Sequence, residues 1–269
     1  MKEHLVEYNR FPGGKMRCLT MSYDDGRDHD IRLAEIFREN GIVGTFHLTS
    51  DFLNRDGYVK NSEIKEIYKG HEISCHTRTH PHLDQLPDAA VLAEILDDRL
   101  ALEAASGTLV RGMSYPFGVY DDRVVSIMKT AGMEYARTVA STDRFDMPKD
   151  FLRWHPTCHH KSGNIMEKLE TFLAPSRYRR MRLFYIWGHS YEFANDDNWS
   201  LIEEFCKRAG GDEETWYASN IEIVDYMKAV WSLQTSAACD MIRNPSAVPV
   251  WITVDREPLC VGAGETVKL

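Results

Sequence analysis

No run of about 18 consecutive apolar residues occurs in the 269-residue chain, so no segment of the sequence reads as a membrane-spanning helix. Basic charge is not in excess either. The chain has 32 Lys and Arg against 41 Asp and Glu, a formal net charge of −9, which gives no electrostatic footprint for nucleic acid or an anionic membrane surface. Cysteine is sparse and scattered, at positions 18, 75, 158, 206, 239 and 260 with no C-x-x-C pair, which excludes a disulfide scaffold. Cys18 and Cys75 fall inside predicted strands and read as small apolar core residues. The opening stretch MKEHLVEYNRFPGGK has no apolar h-region. The expected compartment is therefore the cytoplasm, or the periplasm or exterior if a leader has been removed. Internal repeats and low-complexity segments are also missing. What remains is an ordinary globular composition, 43% hydrophobic and 27% charged, long enough to bury a substantial core.

The hydrophobic pattern alternates between periods of two and 3.6. Residues 16–23 form an apolar strand, and 31–40 have helical spacing and stop at Asn40-Gly41. GIVGTFHL (41–48) and HEISCHT (71–77) read as strands, with a helix near 62–69 between them. Residues 87–106 are helical and stop at Gly107. Residues 110–118 read as a strand running into a turn, 120–132 as a helix, and 151–158 as a strand. A helix near 165–173, a strand over 181–190 and a helix over 199–209 continue the alternation. The last long helix, 219–233, opens on a Ser-x-x-Glu capping box. This order implies a largely parallel sheet or barrel. Beyond Leu233 the style changes to short strands and turns, so the expected division is a main domain over 1–233 and a β-rich extension over 234–269 packed on it.

In parallel α/β folds the residues following the strands build the active site. Here those residues are Asp24-Asp25, His76 to His80, Pro116-Phe117-Gly118 and His189. Taken alone, SYDDG (22–26) reads as a solvated turn and helix cap; beside the other strand ends it reads as part of a site. His76 and His80 are four apart with no Glu between them in the H-E-x-x-H pattern, so a metalloprotease is excluded. Two imidazoles and one carboxylate would make an open three-ligand metal site.

These segments together resemble the polysaccharide deacetylase family, the NodB-homology domain of carbohydrate esterase family 4. SYDDG is similar to its first motif, HTRTH (76–80) fits the second, YPFG (115–118) carries the Pro-aromatic-Gly of the third, and YIWGHS (185–190) supplies the histidine of the fifth. GIVGTFHL resembles the strand between the first two. The resemblance spans roughly residues 16–190 and implies a distorted β/α barrel with a divalent cation, commonly zinc. Carried over residue by residue, Asp25, His76 and His80 would hold the metal and Asp24 would be the general base. His189 would be the general acid, and the Phe117 backbone N–H would help stabilise the oxyanion. Tyr115, Trp187 and Trp154 are the further candidates for lining the substrate position. The implied reaction is metal-dependent hydrolysis of acetyl groups from an N-acetylated, or O-acetylated, carbohydrate. The alternatives are hydrolysis of a non-sugar C–N amide bond and a non-catalytic carbohydrate- or metal-binding barrel. The implied partner is an acetylated glycan, with no nucleic acid and no membrane span.

Two departures stand out. The third motif usually has an arginine two residues before its proline, orienting the base; here that position is Ser114, and Arg111 is the nearest substitute. The fourth motif, Asp-x-x-Asp-Trp, is echoed only by Asp150 and Trp154, with Arg153 in place of the aspartate that tunes the acid histidine. HPTCHH (155–160) reads as loop histidines rather than a second metal site, with His159 or His160 as further substrate contacts. Tyr191, Glu192 and Asp196 are placed to line the same cleft.

Overall fold

The computed structural model describes residues 4–176 and 178–269. Its strands are β1 (Val6–Glu7), β2 (Arg17–Asp25), β3 (Gly44–Leu48), β4 (Glu72–Cys75), β5 (Gly112–Ser114), β6 (Tyr135–Arg137), β7 (Cys158–His159), β8 (Arg182–His189), β9 (Thr215–Tyr217), β10 (Gln234–Thr235), β11 (Met241–Arg243), β12 (Val250–Val254), β13 (Glu257–Val261) and β14 (Thr266–Lys268). Its helices are α1 (Asp30–Glu39), α2 (Ile64–Ile67), α3 (Asp88–Ser106), α4 (Asp122–Thr130), α5 (Ile165–Leu173), α6 (Tyr191–Asn195), α7 (Trp199–Ala209) and α8 (Asn220–Ser232).

Eight strands pair in parallel in the order β6-β5-β4-β3-β2-β8-β7, with β9 also on β2. One edge of β2 is shared: Arg17–Leu19 pair with β9 and Met21–Asp25 with β3, while β8 runs along the other edge. The gap between the two end strands is spanned by one stretch of chain. Trp154 exchanges backbone bonds with Ala136 and Thr138, and Thr157 N donates to Tyr185 O. The curved sheet is thus the distorted β/α barrel implied by the motifs, and its strands all point their carboxyl ends the same way.

Alternation along β2 explains what lies on each face. Leu19, Met21 and Tyr23 join Leu33 and Phe37 of α1 in the main apolar core. Thr20, Ser22 and Asp24 point into the barrel, where they are buried and bonded to polar groups. Thr20 Oγ1 donates to Asn220 (2.9 Å), and Asn220 N donates to Thr45 Oγ1 (2.9 Å), which in turn donates to Glu72 (3.0 Å). Higher up, Ser22 Oγ bonds His47 Nε2 (2.9 Å) and accepts from Arg137 Nε (3.1 Å). The two runs meet where the Tyr185 hydroxyl faces Ser22. The lumen is a satisfied polar column, as burial of such groups requires.

Most of the helical segments expected from the sequence are present, α5 and α7 with the same ends and α8 with its capping box. The strand expected over 151–158 is instead a 3-10 turn at Phe151–Arg153 followed by the short β7. Strand β6 was not anticipated: it is three residues long and follows the stop of α4 at Gly132. The C-terminal segment forms β10 to β14, and its Val250, Ile252 and Val261 pack with Val224 and Met227 of α8 in a second core. β1 pairs antiparallel with β12, so the N-terminal residues also belong to this second, antiparallel layer. No helix among the described residues is long and apolar enough to cross a membrane.

Candidate active site

Asp24 and Asp25 end β2 with opposite surroundings. Asp24 is buried and accepts from the Arg137 guanidinium and from Ser114 Oγ (3.0 Å). Arg137 is fully buried, stacked with its Cζ 4.4 Å from the Trp187 ring centroid. Burial alone would raise the Asp24 carboxyl, but the Arg137 guanidinium beside it holds it well below the usual carboxylate range. His47 itself is pushed down to about 3 by burial, so it is a neutral link in the column.

Asp25 takes φ +83 and turns away from its neighbour. Its Oδ1 lies 3.6 Å from His76 Nε2 and 3.9 Å from His80 Nε2. Thr77 (φ +66), His80 (φ +60) and Phe117 (φ +56) share the left-handed conformation. Four such non-glycine residues at three strand ends are a concentration of backbone strain, which the packing beneath them sustains.

The tautomers show which cluster suits a cation. His76 Nδ1–H faces the Ser114 carbonyl (3.0 Å) and Ser114 Oγ (2.6 Å), and that hydroxyl donates onward to Asp24. Nε2 is therefore left with its lone pair directed at Asp25 and His80, as a metal-ligating histidine requires. The ligand atoms of Asp25, His76 and His80 all lie within 4.8 Å of one another, close to the ~3.4 Å separations that ~2.1 Å bonds impose in a tetrahedral site. The donor set fits a divalent cation.

A second cluster, His159, His160 and Glu192, has the same composition and spacing. There the backbone N–H of Lys161 donates to His159 Nδ1 (3.1 Å), so the proton of the neutral ring sits on Nε2, 3.2 Å from Glu192 Oε2. The same carboxylate oxygen lies 3.4 Å from His160 Nε2 and 3.1 Å from both Nδ1 and the backbone N of His189. One carboxylate collecting several N–H donors is a proton-ordering network, not a cation cage. Burial raises the Glu192 carboxyl, but bonds from His159 and His189 outweigh it and hold it low. Burial pushes His160 down to about 3. For His189 burial also acts downward, but Glu192, Asp24 and Asp25 together raise it. Of the HPTCHH histidines His155 is exposed and His159 half-buried, but His160 is buried, its ring filling the space that Gly188 leaves on β8. A Cβ at Gly188 would drive into that ring, so Gly188→Ala is expected to cost about 1–3 kcal/mol, read as a lower denaturant midpoint at unchanged m.

Several expected residues lie elsewhere. Arg111 does not reach Asp24; its guanidinium is held by Asp225 (2.6 Å) and Glu134 (3.3 Å). Arg137, which the sequence reading missed, takes that place together with Ser114. Applying the strand-end rule to MEYAR (133–137), after the Gly132 stop, would have found it. Trp154 is 1% exposed and packs against Tyr135, Phe151 and Tyr185, so it is a core residue and not a substrate contact. Tyr115 is also buried, with its hydroxyl donating to Leu152 O (2.8 Å). Phe117, by contrast, is 53% exposed and stacks on His82 and edge-on to His80. Trp187 lies between Arg137, His159 and His189, its buried indole N–H without a partner among the described residues. Asp150 pairs with Arg153, so Glu192 is the carboxylate on His189. Asp196 pairs with Lys161 at the rim (2.7 Å). A cavity of about 550 Å³ lined by Lys65, His71, Glu72 and Ser219 lies at the opposite end of the barrel and holds none of these groups.

A sequence model of the polysaccharide deacetylase family matches residues 12–136. A chitin deacetylase of Arthroderma benhamiae is 33% identical over 133 residues, 48% of this chain and 34% of that protein. A chitooligosaccharide deacetylase of a Bradyrhizobium strain is 25% identical over 121 residues, 44% of this chain and 53% of the relative. The chain thus matches between about a third and half of the length of these relatives. Among solved structures, one assigned as a polysaccharide deacetylase from Mycobacterium smegmatis superposes with a TM-score of 0.63 at 16% identity, covering 85% of this chain and 96% of that one. A family 4 carbohydrate esterase pseudoenzyme from Bacillus anthracis gives 0.50 at 18% identity, over 81% of this chain and 68% of the other. At these identities the likeness establishes the fold, which active and inactive members share. The segment 12–136, which carries Asp24, Asp25, His76 and His80, is the part of the chain that matches the polysaccharide deacetylase family, where the motifs also lie.

Proposed function

We propose that this chain is a metal-dependent deacetylase acting on an N-acetylated carbohydrate. The observation that carries the reading is the division between the adjacent aspartates. Asp24 is sealed against Arg137 and Ser114, while Asp25 is turned out toward the Nε2 atoms of two imidazoles, that of His76 with its lone pair free. Asp25, His76 and His80 would hold a divalent cation, for which zinc is the best match to two imidazoles and a carboxylate. When bound, the cation lowers the pKa of water and polarises an acyl carbonyl. Asp24, kept ionised and aimed by Arg137, takes the proton of the attacking water. The Phe117 N–H assists at the developing oxyanion. His189, held protonated by Glu192, donates to the departing amine, which leaves poorly as an anion. Phe117 and Trp187 supply apolar surface near the acyl position.

Metal content and acetate release test this together. The wild-type chain is expected to bind about one zinc and to release acetate from N-acetylated oligosaccharides. His80→Ala is expected to bind metal at least about tenfold more weakly and to lose turnover. Unchanged metal content in that variant overturns the ligand set, and full zinc with no acetate from any glycan overturns the substrate class.

A further inference from the structure

Arg27 lies two residues beyond Asp25, across the Gly26 turn. Its Cζ is 4.5 Å from the ring centroid of Tyr58 and 5.4 Å from that of Tyr191, so both rings hold the guanidinium. The hydrogen bonds Val59 N to Gly26 O (3.0 Å) and Asp28 N to Gly57 O (3.2 Å) lock the Tyr58 loop against it. Gly57 takes φ +78, and a side chain there would press on Arg27 Nη2 at 3.2 Å. Arg27 Nε is buried with no acceptor, and among the described residues no carboxylate pairs with this guanidinium. Ten of the 18 other described arginines have such partners, in a chain whose acidic residues outnumber its basic ones. Tyr191 also contacts the site, its ring centroid 5.2 Å from that of His189. Arg27 is therefore no further from the His189 imidazole than those two ring distances combined, within reach of a sugar next to the one being deacetylated.

We propose that Arg27 is a specificity-determining subsite that recognises a carboxylate on the sugar adjoining the acetylated one. A guanidinium fork with unused donors matches a carboxylate bidentately. Stacking on two tyrosines fixes the fork in advance, which reduces the ordering cost of binding. The assignment rests on the deacetylase reading for the position of the acetylated sugar, but its test does not require turnover.

The test is calorimetric titration of the metal-stripped full chain with a disaccharide of N-acetylglucosamine and glucuronic acid. The comparison ligand is the same disaccharide with its carboxylate reduced to a primary alcohol. Wild type is expected to bind the acid roughly tenfold more tightly than the alcohol, and this preference is expected to shrink as salt rises from about 20 to about 500 mM. Arg27→Gln is expected to bind both alike, with affinity for the alcohol unchanged. Equal affinities in wild type, or a preference retained in Arg27→Gln, overturn the subsite. The salt series on wild type decides the question should Arg27→Gln misfold. Acetate release from the same pair by the zinc-loaded chain tests the deacetylase reading separately.

Discussion

Arg137→Met is expected to lower stability by about 3–5 kcal/mol and to cut turnover by about 10²–10³-fold. Arg137 is fully buried and its partner Asp24 nearly so, and removing one member of a buried pair leaves an uncompensated charge. Methionine fills much of the same volume, so the loss reads the charge more than a cavity. The double variant Arg137→Met/Asp24→Asn carries neither charge. It is expected to be more stable than the two single losses added together would allow, while remaining inactive. Chemical denaturation of the four proteins measures this. Additive losses would mean the pair is not coupled, and wild-type turnover in Arg137→Met would mean Asp24 is aimed by Ser114 alone. The turnover loss has a specific origin: a general base contributes only when its proton-accepting oxygen is fixed within hydrogen-bond reach.

Glu192→Gln is expected to shift the basic limb of the kcat/KM profile to lower pH. Burial pulls the His189 imidazole down, and Glu192 is foremost among the groups that raise it. A general acid works in its protonated form, so raising its pKa extends activity to higher pH and removing Glu192 withdraws that extension. At pH 8 the loss is expected to be about tenfold in kcat, with KM little changed. Zinc content is expected to stay at the wild-type level, because His159 offers Glu192 an N–H and not a lone pair. A drop in bound zinc would show the second cluster to be a metal site, and an unmoved basic limb would remove His189 from the acid role.

How much of this was legible in the sequence depended on whether the groups were contiguous. SYDDG and HTRTH each hold their candidate groups within five residues at the end of one strand, and the strand-end rule anticipated that Asp25, His76 and His80 lie together. Arg137 was harder to read because it acts across the barrel from a three-residue strand too short to show a period of two, and only the Gly132 stop before MEYAR points to it. Arg111 was nearer in sequence to the motif, but it faces Asp225 and Glu134 on the outside. Trp154 matched a motif letter yet lies where the chain spans the gap between the end strands β6 and β7, so its ring serves that closure. The polar face of β2 was also hidden: Thr20 and Ser22 look unremarkable in an apolar run until their partners on other strands are known.

That hidden face has a consequence for catalysis. Asp24 rests on Arg137, Arg137 on Ser22, and Ser22 on His47, all inside a lumen that bulk solvent does not enter. In its proposed role as the base, Asp24 cannot relax toward an arriving substrate without breaking bonds that the fold itself requires. Its reorganisation free energy is therefore settled during folding and not during each turnover. The same chain of contacts lets the site keep two adjacent carboxylates with different tasks, since one of them is wired inward and only the other remains free to face a ligand.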